Sequence, residues 1–135
     1  MLFLLAAGFS FRDPHITSVL RESLSANANS AVFAFQYGTI ANEVAAARIG
    51  NSHPNFSVYA SDGGIVGGVQ GDWQVDDDAK QWAAIRPMYW HEGKLTLGDF
   101  RAFARFLALT KASRLSARKV DREEVEALED IDASE

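Results

Sequence analysis

The chain opens on an unbroken apolar run, Met1 to Ala7, and then settles into segments with distinct hydrophobic periods. A continuous apolar run of that length, ended by Gly8, predicts a strand buried on both faces, as in a parallel sheet. Pro14 to Ala26 places Ile16, Val19, Leu20 and Leu24 at helical spacing, so it predicts a helix that Asn27 to Ser30 stops. Ala31 to Phe35 alternates and concentrates β-formers as a second strand. Ile40 to Ile49 is alanine-rich and amphipathic, predicting a second helix with Gly50 as its C-cap. Phe56 to Ala60 completes the series as a third strand. Strand, helix, strand, helix, strand predicts an α/β fold: a three-layer, Rossmann-like parallel sheet with right-handed crossovers.

Beyond residue 60 the pattern shortens. Asp62-Gly63, with Ile65-Val66 just beyond, predicts a tight hairpin after the third strand. The glycines at 63, 64, 67, 68 and 71 do not spell the dinucleotide fingerprint, so they read as a hairpin or bulged loop rather than a phosphate cradle. Asp76-Asp77-Asp78 has the charge for a hard cation but not the spacing of an EF-hand, and reads as a solvated turn and helix start. Ala79 to Trp90 predicts a short helix limited by Pro87. Leu97 to Leu109 repeats Phe100, Phe103, Phe106 and Leu107 on one face, opposite Arg101 and Arg105, and predicts a packing helix. Asp121 and Glu124 form a capping box for a last polar helix, and Asp130 to Glu135 should fray. The division expected is an α/β body over residues 1–110 and an acidic helical tail over residues 111–135.

Charge changes this picture only at the end of the chain. The net charge is −5, and residues 117–135 hold 3 basic and 8 acidic side chains, leaving the rest balanced. No basic stripe interleaves Trp73, Trp82, Tyr89 and Trp90, so these aromatics read as packing surface and no nucleic-acid partner is expected. The absence of cysteine excludes disulfides and thiolate metal sites and is compatible with a reducing cytoplasm. Met1 to Ala7 is too short for a membrane span and lacks the flanks of a signal peptide, so a cytoplasmic, membrane-free location is the expectation.

Candidate chemistry concentrates in Gly8-Phe9-Ser10-Phe11-Arg12-Asp13-Pro14-His15-Ile16. A strand end, a glycine turn and a helix start are the place where open α/β sheets hold nucleotide ligands. Gly8 lets the backbone leave the strand close to a ligand, Ser10 adds a hydroxyl, and Asp13 before Pro14 suits an N-cap. His15 either contacts ligand or caps its own helix. His53 reads as exposed, and His91 beside Glu92 has no evident nucleophile near it. No metal triad and no Ser-His-Asp set emerges from spacing.

The same string resembles the Gly-Tyr/Phe-Ser-Phe-x-Asp-x-His-Ile motif in the second half of sirtuin-like domains, the NAD-consuming family, and especially its bacterial antiphage-defence branch. Leu97-Gly98-Asp99-Phe100-Arg101-Ala102-Phe103-Ala104-Arg105-Phe106-Leu107 resembles the helix that often closes such domains. The resemblance covers about residues 1–110. It implies the C-terminal portion of an NAD-binding or NAD-hydrolysing domain, with Gly8, Phe9, Ser10, Asp13 and His15 at the cofactor. The family's Gly-Ala-Gly loop and its catalytic asparagine and histidine have no counterpart here, so the resemblance implies no catalytic residue in this chain. A zinc ribbon of four cysteines cannot form. The expected partner is a second copy or a second chain supplying the other half. The alternative is a non-catalytic α/β binding or scaffold module that regulates or assembles with a full-length relative.

Overall fold

A computed structural model describes residues 2–75, 80 and 83–109. Residues 1–103 form one compact unit; a second begins at Ala104, and only its first helical residues, 104–109, are described. The first unit is mixed α/β. Its strands β1 (Leu2–Ala7), β2 (Ser30–Phe35), β3 (Phe56–Tyr59), β4 (Gly63–Val66) and β5 (Val69–Asp72) form one sheet in sequence order. Helices α1 (Pro14–Ala26) and α2 (Val44–Ser52) connect the first three strands. The pairs β1–β2 and β2–β3 are parallel, whereas β3–β4 and β4–β5 are antiparallel. The expected parallel pairing holds for the first three strands, and the hairpin expected at Asp62-Gly63 is the antiparallel β3–β4 pair; with β5 added the sheet is mixed, which corrects an all-parallel sheet. The short links Ala60–Asp62 and Gly67-Gly68 leave no room for a crossover helix, so the chain must turn back on itself.

Parallel register decides the two faces. Leu4, Val32 and Phe56 align across the sheet, as do Ala6, Ala34 and Val58, and Ile65 extends that row on β4. Val32, Ala34, Phe56, Val58 and Ile65 of these rows make the core with Leu24 of α1 and Ala46 and Ile49 of α2, Ala6 packs against it and Leu4 stays exposed; Phe56, Val58, Ile49 and Ile65 are fully buried. The opposite face carries Phe3, Phe33, Phe35 and Tyr59, whose rings lie within 5.1–6.3 Å of one another between neighbouring strands. Tyr59 stacks on Trp73, whose indole N–H donates to the Ala60 carbonyl at 2.7 Å. Phe103, on α3 (residues 100–109), meets Phe35 at 4.9 Å.

Several local expectations shift for identifiable reasons. Helix α2 starts at Val44 rather than residue 40, because Thr39 to Asn42 closes a turn in which Asn42 and Glu43 N–H both donate to the Thr39 carbonyl. It also runs past Gly50 to Ser52, so Gly50 is not a C-cap. Gly50 is buried inside the helix, where a Cβ would come within 3.1 Å of Val58 and 3.3 Å of Ile65. The missing side chain lets α2 lie close on the sheet. Gly67 and Gly68, at φ +60° and +81°, form the two-residue turn between β4 and β5, which requires positive φ at both positions.

The helix expected over 79–90 is absent from its described part. Residues 83–85 turn, Arg86–Met88 make a single 3-10 turn with Pro87 at its start, and β6 (Trp90–His91) pairs with β7 (Lys94–Leu95). Leu97 and Gly98 precede α3 instead of opening it. Asp99 caps that helix, accepting from Arg101 and Ala102 N–H at 2.8 and 3.3 Å. Asp76 to Asp78, Trp82, Asp121, Glu124 and the rest of the acidic tail lie outside the described residues. Among the described residues, no helix is long and apolar enough to cross a membrane.

Candidate functional site

The loop from Gly8 to Asp13 leaves the carboxyl end of β1 in an unusual backbone path. Gly8 has φ +72°, and Phe11, a bulky residue, has φ +55°. Left-handed backbone at an aromatic residue is strained and persists only where the surroundings fix it. Here Phe11 is buried edge-on between Phe9 and Phe56, at ring distances of 4.8 and 5.3 Å. The Thr17 hydroxyl donates to the Phe11 carbonyl at 3.0 Å. Buried Gln36, just beyond β2, donates from Nε2 to the Phe9 carbonyl at 3.0 Å. The loop is therefore bolted at two carbonyls and one ring, which leaves Ser10 and Arg12 facing outward and exposed.

Two adjoining concavities meet at this loop, outside the carboxyl ends of β1 and β2, the position at which open α/β sheets take ligands. The smaller, about 170 Å³, is lined by Gly8, Phe9, Ser10, Gln36, Tyr37 and Glu43 among others. The larger, about 650 Å³, continues from Ser10 and Arg12 into the groove between α1 and α2. Its size is that of a small-molecule site. Glu43 stands in both, with Oε1 accepting from Gly38 N–H at 3.0 Å.

The structure brings Gly8, Phe9 and Ser10 to one rim and separates the other two expected site residues from them. Asp13 is the N-cap of α1: its Oδ1 accepts from His15 N–H at 2.9 Å and Ile16 N–H at 3.4 Å, which occupies the carboxylate in helix initiation. Asp13→Ala should therefore cost about 0.5–2 kcal/mol of stability. Urea unfolding checks this, and an unchanged midpoint would remove the cap from the account. His15 lines a different, shallow apolar groove with Ile16, Val19, Leu20 and Ser23. A Cβ at Gly8 would meet nothing within 4 Å, so the glycine is required by its φ rather than by a close neighbour in the protein.

Sequence reasoning missed Gln36, Glu43, Arg21 and Arg48. None belongs to a motif, and each reaches the site through tertiary placement. Elsewhere, His91 and Glu92 lie 3.7 Å apart, but both are exposed. Among the described residues no group of three His, Asp or Glu side chains could hold a metal ion. No protein-family model matches this chain, and no curated protein matches it.

Proposed function

We propose that this chain is the C-terminal portion of a sirtuin-like, Rossmann-type NAD-binding domain, of the kind used in bacterial antiphage defence, whose catalytic half lies elsewhere. The observation that carries the reading is the fixed, left-handed Gly8–Phe11 turn opening onto a concavity at the carboxyl ends of two parallel strands. That geometry suits a dinucleotide: Ser10 offers a hydroxyl without a partner among the described residues, and Glu43 offers a carboxylate of the type that accepts from ribose hydroxyls. The chain itself contributes binding and orientation. On this reading bond cleavage falls to the half that carries the family's asparagine and histidine, which have no counterpart in this sequence.

Strand β1 supports the need for that partner. Among the described residues it pairs only with β2, and Leu2, Phe3, Leu4 and Leu5 are 49–67% exposed, on both faces of the strand. Four consecutive large apolar side chains beside an open edge call for further strands, from a second copy or a second chain.

Titration of the full chain with NAD tests the reading. Ser10→Ala should weaken binding about fivefold, the loss of one hydrogen bond worth about 1 kcal/mol, at unchanged thermal stability. No nicotinamide should be released. Undiminished affinity in folded Ser10→Ala would remove the loop from the site, and nicotinamide release by the pure chain would overturn the half-domain assignment.

A further inference from the structure

We propose that Arg12, Arg21 and Arg48 form an anchor for a pyrophosphate group in the groove between α1 and α2. The ligand class rests on the dinucleotide reading above, and the placement goes beyond it. Residues 1–75 contain only three basic side chains against five acidic ones, and all three basic ones line this single groove. They come from three elements: Arg12 from the loop after β1, Arg21 from the third turn of α1, and Arg48 from the middle of α2. A scattered solvating role would spread three charges over the surface; here the fold gathers them.

The electrostatics of the groove favour an anion. Guanidinium groups stay charged and repel one another, and among the described residues Glu43 is the one carboxylate lining the groove. That carboxylate already accepts from Gly38 N–H. None of the three guanidiniums forms an ion pair with a described residue, and Arg21 Nε is buried without a hydrogen-bond partner among them. A buried donor without a partner is unfavourable, and an anion drawn against the Arg21 guanidinium offsets that cost with charge-assisted bonds. The stripe on α1 fits the same purpose. Thr17, Ser18 and Arg21 follow at helical spacing, with Thr17 already engaged to Phe11 and the Ser18 hydroxyl left without a partner among the described residues. Ala45 on α2 keeps the facing wall low.

Calorimetric titration of the full chain with inorganic pyrophosphate at low ionic strength tests the anchor, with folding followed by circular dichroism. Arg21→Gln and Arg48→Gln should each weaken binding about tenfold, as expected for loss of a charge-assisted contact. Arg101→Gln, an exposed arginine on α3 outside the groove, should leave binding unchanged. Should Arg21→Gln fail to fold, Arg48→Gln carries the test, because Arg48 is exposed. Equal pyrophosphate affinity in Arg48→Gln and wild type, or an equal loss in Arg101→Gln, overturns the anchor. Pyrophosphate binding that depends on Arg21 and Arg48 without any NAD binding keeps the anchor and defeats the NAD reading. NAD binding that Ser10→Ala weakens but Arg21→Gln and Arg48→Gln leave intact does the reverse.

Discussion

Phe56→Ala is expected to remove about 3–5 kcal/mol of folding stability, enough to unfold a large fraction of a domain whose total is about 5–15 kcal/mol. Phe56 is fully buried at the start of β3, aligned with Val32 on β2, and its ring meets Phe11 edge-on at 5.3 Å. Truncation leaves a cavity that strand backbones cannot collapse, since β3 is hydrogen-bonded on both sides. It also removes one wall from Phe11, whose φ of +55° depends on packing. The Gly8–Asp13 loop should therefore loosen together with the core. Urea denaturation gives the first quantity, and NAD affinity measured well below the unfolding midpoint gives the second. A loss under about 1.5 kcal/mol would mean that the site repacks and that Phe11 is held by its hydrogen bonds alone.

Gly98→Ala is the second large effect, at about 3 kcal/mol, from overpacking rather than from a void. A Cβ at Gly98 would collide with the Gln36 carbonyl oxygen and lie 2.6 Å from the Tyr37 nitrogen. Both obstacles are backbone, so no rotamer change relieves them. The 97–99 turn or the end of β2 must move, and Gln36 carries the hydrogen bond that holds the Phe9 carbonyl. The substitution should thus reach the Gly8–Asp13 loop from the far end of the sequence. Gly71→Ala, where a Cβ meets nothing within 4 Å, provides the comparison and should stay within about 0.5 kcal/mol of wild type in chemical denaturation. Equal effects of the two substitutions would show that the tight approach at Gly98 is not structural.

Local signals carried the first half of the fold. Asp13-Pro14 marked the start of α1 to the residue, because an N-cap and an N1 proline act within a few positions along the chain. The alternation in residues 31–35 and the apolar run before Gly8 likewise located β1 and β2, since strand periodicity is set by the pleat of a single segment. The turn at Gly8 was legible for the same reason: positive φ has a one-residue signature in glycine. The β3–β4 hairpin was legible from Asp62-Gly63, whereas β5, which makes the sheet's antiparallel part three strands wide, was not, because it is short, exposed and defined by its pairing partner.

Contacts between distant positions decided the remainder. Gly50 carried a helix-stop signal in sequence, but the sheet gave it another purpose: Val58 and Ile65 press where its side chain would be, so helix packing overrode the local cue. His15 and Asp13 stood in the recognised string, yet the helix turned one away from the groove and the cap occupied the other. Arg12, Arg21 and Arg48 formed no pattern along the chain, separated as they are by 9 and 27 positions. Only the parallel crossovers, which lay α1 and α2 side by side above β1, β2 and β3, bring their charges to one groove. Capping, turn and periodicity preferences act over about four residues and were therefore readable in the sequence, whereas a site assembled from three elements exists only once the sheet has fixed their separation.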